Sequence, residues 1–237
     1  MLKLLTSVKD FDGKIIGKHN NIYEVPKESL GDLSQKIKSG NIRNPWDWYV
    51  SLWAFGSLKK GALYEQILKK NFLKKLKYPH LFFTPVNEWS EAYSDATNPE
   101  LFRKWLKLLL VRRKDVVKFG ESSVPGSLGF LSYRYLQLYN YDFDKSINKL
   151  KTFDDVKLFD EQNNFINFFI YNENLESDFK KLMLGLGFDE KKLNGVLQIP
   201  KTNRSNRTHY REYYDDETVE LVKRQDKLII EKHNYDF

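Results

Sequence analysis

Phe165-Ile-Asn-Phe-Phe-Ile-Tyr171, running into Asn172-Glu-Asn-Leu-Glu-Ser-Asp178, is the stretch on which the fold turns. The first seven residues are aromatic and β-branched and are bounded by asparagines, so they read as a buried strand of a mainly parallel sheet. Carboxylates at Glu173, Glu176 and Asp178 then open the next segment, where the helix dipole favours them. Gly185 or Gly187 offers the left-handed position that closes it. A strand feeding a helix is the signature of an α/β protein, with helices flanking a central sheet.

Working outward, the same punctuation recurs. Trp46 to Phe55 reads as a helix, and after Gly56 an amphipathic run repeats Leu63, Ile67, Leu68 and Leu73 near helical spacing. Asn98-Pro99-Glu100 combines a capping side chain, a proline at the first helical position and an early carboxylate, so it starts a helix over Leu101 to Val111 that stops near Arg112-Arg113. Gly126 and Gly129 mark a loop feeding a helix over Phe130 to Tyr139, followed by a polar surface connector rich in Asp, Lys and Asn. A last helix begins around Asp215-Asp-Glu-Thr218 and carries Val219, Val222 and Leu228 to Ile230. At the other end, Asp12-Gly13 reads as a hairpin turn before Lys14-Ile-Ile-Gly-Lys-His19, which sets His19 at a strand end.

A chain of 237 residues is long enough for one well-packed domain, and we expect a single domain over 1–237. Apolar residues at 41% can fill its core, and the 30% that are charged are interspersed among them, which excludes a disordered chain. A net charge of +7 favours acidic partners without choosing between nucleic acid, glycan, membrane surface and nucleotide. The absence of cysteine excludes disulfides, thiolate metal sites and a cysteine nucleophile. Met1-Leu-Lys-Leu-Leu-Thr6 lacks the apolar run of a signal peptide, and Trp105 to Val111 falls far short of the ~20 residues of a spanning helix. The expected setting is therefore cytoplasmic, with no membrane partner.

The chemistry centres on Ile42-Arg-Asn-Pro-Trp-Asp-Trp-Tyr-Val-Ser51, where an arginine stands just ahead of a proline-initiated helix and a serine lies about two turns into it. Arg43 offers a planar fork of charged donors to phosphate oxygens, and the Ser51 hydroxyl can donate from the same side. On spacing alone the stretch reads more readily as a helix start with a solvated arginine and core aromatics.

Arg43-Asn-Pro-Trp-Asp47 with Ser51 resembles the 3′-phosphate motif of the sulfotransferases that use 3′-phosphoadenosine 5′-phosphosulfate (PAPS). Phe169-Ile-Tyr-Asn-Glu-Asn-Leu-Glu-Ser-Asp-Phe179 is similar to the strand and acidic helix start of that family. Asn203-Arg-Ser-Asn-Arg-Thr-His-Tyr-Arg-Glu-Tyr-Tyr-Asp-Asp-Glu-Thr218 resembles its basic loop and Tyr-Arg-Glu-Tyr-Tyr-Asp run, and His233-Asn-Tyr-Asp-Phe237 its ending. Gly129-Phe-Leu-Ser-Tyr-Arg-Tyr135 looks like a segment of bacterial and viral members.

The resemblance implies a P-loop-NTPase-like sulfotransferase fold and transfer of a sulfuryl group from PAPS to a hydroxyl or amine of a carbohydrate or small molecule, without a metal. It implies that Arg43 and Ser51 bind the 3′-phosphate and that Arg204, Ser205 and Arg207 close over the nucleotide. By placement, His19 is the base, with Glu24 as its alternative, and Lys18 steadies the sulfate oxygens. Residues 1–40 contain no Lys/Arg-Thr/Ser-Gly loop for the 5′-phosphosulfate, and the segment before Arg43, Gln35-Lys-Ile-Lys-Ser-Gly-Asn41, is unusually polar for a strand. If the usual first strand is absent, the sheet has an open position that residues 1–16 or another subunit, as in a homodimer, could cover. The alternative function is an inactive member that binds nucleotide or acts as a scaffold. Nucleic-acid binding through Lys59, Lys60, Lys69, Lys70, Lys74 and Lys75 is disfavoured, because these lysines alternate with apolar residues as on a solvated helix face.

Overall fold

A computed structural model describes residues 36–69, 76, 78–116, 119, 128–197 and 208–237. The protein is mixed α/β, mostly helical, with a small parallel sheet. In chain order the strands and α-helices are β1 (Ser39–Ile42), α1 (Pro45–Ser57), α2 (Ala62–Leu68), α3 (Val86–Ala92), α4 (Pro99–Val111), α5 (Phe130–Tyr139), α6 (Phe143–Ser146), α7 (Phe153–Asn163), β2 (Phe168–Tyr171), α8 (Leu175–Gly185), α9 (Glu190–Leu197), α10 (Asp216–Gln225) and α11 (Lys227–His233). Of the described residues, 36–43, 136–141 and 163–197 form one compact unit, and 44–69, 76, 78–116, 119, 128–135, 142–162 and 208–237 form the other.

In the first unit β1 pairs with β2 in parallel, with Ser39 opposite Phe168 and Ile42 opposite Tyr171. A sequence as polar as Ser39-Gly-Asn-Ile42 holds as a strand because side chains complete its hydrogen bonding. The Tyr139 hydroxyl accepts from the Asn41 amide at 3.0 Å and donates to the Asn41 carbonyl at 2.7 Å, while Asn41 Nδ2 donates to the Ile170 carbonyl at 3.2 Å. Gly40 gives the room for this: a Cβ there would lie 3.1–3.2 Å from the rings of Tyr139 and Phe169. At β2, Asp178 Oδ2 accepts from the Tyr171 amide at 3.0 Å, so a carboxylate from the following helix finishes the strand. The strand is shorter than the 165–171 run suggests, and only Ile170 is fully buried, because the described sheet has two strands. Phe179, Met183 and Leu193 of α8 and α9 supply this unit's buried apolar residues.

The second unit is built on aromatics. Trp46, Tyr49, Val50 and Trp53 form the buried face of α1, and Phe102, Trp105, Leu106 and Leu109 that of α4. The rings meet edge to face, Trp53 on Phe102 at 5.5 Å and on Tyr213 at 5.6 Å, the arrangement that aromatic quadrupoles favour. Two of the indoles are also hydrogen-bonded, Trp53 Nε1 donating to the Ala92 carbonyl and Trp89 Nε1 to Asp115 Oδ2. The expected caps form: Asn98 accepts from the Glu100 amide at 2.9 Å, and Asp215 and Thr218 make a reciprocal capping box on α10. Lys59, Lys60 and Lys69 are exposed, and Lys69 pairs with Glu65 at 2.7 Å.

The supposed polar connector after Tyr139 instead contains α7. Thr152 and Asp155 cap it reciprocally: the Thr152 hydroxyl accepts from the Asp155 amide, and the Asp155 carboxylate accepts from the Thr152 amide. Val156 and Asp160 are its buried side chains, and Asp160 accepts from Lys232 Nζ at 2.5 Å. The helix thus rests on a cap and a buried ion pair more than on an apolar stripe.

Candidate functional site

Arg43 follows the last residue of β1, in the first unit, and is half-buried. In parallel α/β sheets ligands gather beyond the carboxyl ends of the strands, which is where this arginine stands. The β1–β2 register makes Tyr171 the partner of Ile42, so the Tyr171 phenol belongs to the same carboxyl end. Partial burial, then the charges of Asp178 and Glu173, raise its pKa and keep it a neutral donor. Tyr171 was not among the candidate residues, because only the strand register gives it this place.

Ser51 lies about two turns into α1, in the second unit, and is half-buried on the face away from Trp46 and Trp53, one turn beyond Trp48. The start of α1 is already satisfied by its own cap: Asn44 Oδ1 accepts from the amides of Trp46 at 3.0 Å and Asp47 at 3.3 Å. An anion at this end must therefore be held by side chains rather than by those amides.

Three stretches far apart in the sequence meet around that helix start, all within the second unit. Asn44 Nδ2 donates to the Asp236 carbonyl at 3.0 Å, and Trp46 Nε1 to the Val219 carbonyl at 3.2 Å. The Tyr214 hydroxyl donates to the Trp46 carbonyl at 2.9 Å. Phe237 lies edge-on to Trp46, Tyr210 and Tyr214 at 5.5–5.7 Å, with the Arg211 guanidinium 5.3 Å above its ring.

A second polar cluster, absent from the sequence reading, lies deeper in this unit. Asp226 is fully buried, and its Oδ2 accepts from the Tyr49 hydroxyl at 2.5 Å while its Oδ1 accepts from the Ser132 amide at 2.7 Å. The Tyr49 oxygen in turn accepts from the Leu131 amide at 3.1 Å. Gly129 makes this docking feasible, since a Cβ there would lie 2.5 Å from Asp226 Oδ2. Its neighbour Gln225 accepts from the Gly129 amide, also at 2.5 Å. The segment Gly129-Phe-Leu-Ser-Tyr-Arg-Tyr135 thereby acquires a role: its first turn receives a buried carboxylate. In the sequence, Lys223-Arg-Gln-Asp-Lys227 falls within the last helix, and Asp226 is given no role there.

Two buried titrating groups bracket α11. Burial pushes Asp226 up to about 6, with the Tyr49 and Ser132 donors pulling the other way, and burial, then the Lys232 charge, pushes His233 down to about 4 against the pull of Asp160. A carboxyl raised by folding contributes stability that is full below its unfolded pKa and is lost as pH rises through the folded value. An imidazole lowered by folding contributes stability that is full above pH 6.5 and is lost as pH falls through about 4. The two slopes oppose each other over pH 4–6. Relative to the parent, Asp226→Asn is expected to lose stability progressively as pH falls across that window, and His233→Gln as pH rises. Urea midpoints measured at half-unit pH steps read this directly; parallel profiles for all three proteins would contradict it.

Lys18, His19, Arg204, Ser205 and Arg207 lie outside the described residues, as does Glu24. Among the described residues no group of three or more His, Asp or Glu side chains is arranged to hold a metal ion, and no helix is long and apolar enough to cross a membrane. No family model, curated protein or solved structure matches the chain.

Proposed function

We propose that the protein is a PAPS-dependent sulfotransferase acting on a hydroxyl or amine of a carbohydrate or small molecule, on a P-loop-NTPase-like fold. What supports this reading is the meeting at one helix start of segments that carry the resemblance separately: Asn44-Pro-Trp46, Tyr210-Arg-Glu-Tyr-Tyr214 and Asp236-Phe237. The position of Arg43 just beyond a parallel strand points the same way.

In this reading Arg43 presents paired N–H donors to the 3′-phosphate and Ser51 adds its hydroxyl, while Arg204, Ser205 and Arg207 cover the nucleotide. The cap on α1 takes up the first helical amides, so the grip rests on side chains. When bound, the donor supplies an activated sulfuryl group, whose bond to the 5′-phosphate breaks as the acceptor bonds to sulfur, leaving 3′-phosphoadenosine 5′-phosphate. His19 takes the acceptor proton at its imidazole, and Lys18 holds a cation against the sulfate oxygens. The setting is cytoplasmic.

A charge-assisted hydrogen bond in a desolvated site contributes about 1.5–3 kcal/mol, so Arg43→Ala is expected to weaken binding of the desulfated product roughly 10- to 150-fold. Calorimetric titration with 3′-phosphoadenosine 5′-phosphate, beside adenosine 5′-phosphate that lacks the 3′-phosphate, tests both claims. Tight binding that depends on the 3′-phosphate and is lost in Arg43→Ala is the expected result. Equal or absent binding of the two nucleotides by the parent would overturn the reading.

A further inference from the structure

We propose that Asp226 is a positioning residue for the 3′-phosphate grip, fixing the rotation of α1 through Tyr49 so that Ser51 keeps a constant place on the open face of the helix. The inference rests on the sulfotransferase reading and adds to it a residue that no motif marks.

The case begins with helix geometry. Tyr49 and Ser51 are two residues apart, about 200° around the axis, so the tyrosine points into the core where the serine points out. A roll of about 20° carries a hydroxyl roughly 4–5 Å from the axis by about 1.5 Å, enough to lose a hydrogen bond. The buried face of α1 resists such a roll through ring contacts, which are weakly directional, and through the Trp46 and Trp53 N–H groups, each of which donates to one backbone carbonyl. The Tyr49 hydroxyl adds a directional anchor held from two sides, by Asp226 Oδ2 and the Leu131 amide. Asp226 is fixed in turn by the Ser132 amide and by Gly129, whose missing side chain leaves the carboxylate its seat. The buried carboxylate thus ties α1 to the first turn of α5, and the register of α1 sets where Ser51 stands.

Packing alone would also explain a buried tyrosine and aspartate, and the two accounts diverge in ligand discrimination. The test measures the ratio of affinities for 3′-phosphoadenosine 5′-phosphate and adenosine 5′-phosphate in the full chain, well below each protein's unfolding temperature. Tyr49→Phe keeps the ring and loses the directional bond. Asp226→Asn keeps an acceptor for the Ser132 amide and removes the charge. Leu106→Ala truncates a fully buried side chain that has no hydrogen bond to give the cluster. Misplacing a binding group by an ångström is costly, so the first two variants are expected to lose about tenfold in the ratio and Leu106→Ala to keep it. An unchanged ratio in the first two, or an equal fall in all three, overturns the proposal while leaving the sulfotransferase reading intact. A parent that shows no preference for the 3′-phosphate overturns that reading, and this inference falls with it.

Discussion

Gly129→Ala destabilises the fold by about 3–5 kcal/mol, the sum expected for overpacking a filled site and for breaking buried hydrogen bonds to a carboxylate. The new methyl would lie 2.5–2.7 Å from three atoms of the Asp226 carboxylate, well inside contact distance. Either the carboxylate leaves its seat, and the Tyr49 hydroxyl and the Ser132 amide lose their common partner, or the start of α5 moves away from the junction of α10 and α11. Chemical denaturation reads the loss as a lower midpoint at unchanged slope. A change under ~1 kcal/mol would mean that Asp226 is not seated against this glycine.

Trp46→Ala is the second large effect, also about 3–5 kcal/mol, as for truncation of a fully buried large aromatic side chain. The indole fills the core at the start of α1, donates to the Val219 carbonyl and receives the edge of Phe237. Its removal opens a cavity at the point where the three distant segments meet. Trp46→Phe retains part of the ring contact but loses the donor, and is expected to cost about half as much. Because Asn44 still caps the helix in both variants, α1 itself should persist. Far-UV circular dichroism near the parent's, with a lowered denaturation midpoint, is the expected pair of observations; loss of helical signal in native buffer would contradict it.

The features legible in the sequence are those whose physics is local. Asn98-Pro99-Glu100 and Asp215 with Thr218 declared their helices because a side chain satisfies an amide two or three residues away. Asn44-Pro45 did the same for α1. The run at Phe168-Phe-Ile-Tyr171 was readable as a strand and its direction as parallel, although the polar partner Ser39–Ile42 needed the distant Tyr139 to explain it. The α7 helix was passed over because its Asp and Asn content resembles a connector, and its cap, Thr152 with Asp155, was not weighed. Asp226 lay beyond reach for a different reason. Its partners stand 94 and 177 residues away, and its neighbours Arg224 and Lys227 give the stretch the look of a solvated face. For the site, the resemblance rather than spacing singled out Arg43 and Ser51, whereas Tyr171 required the strand register.

The Tyr139 hydroxyl that closes both backbone groups of Asn41 bears on how these chains behave in a crowd. A bare strand margin is a template: any extended segment of a neighbouring molecule can dock on it, and each docked segment exposes a fresh margin for the next. By occupying that seat, the phenol makes a passing chain displace an existing pair of bonds before it can form its own. Among the described residues, pairing at Asn41 is thus opposed by the last residue of a helix, through the same oxygen that lets so polar a strand persist.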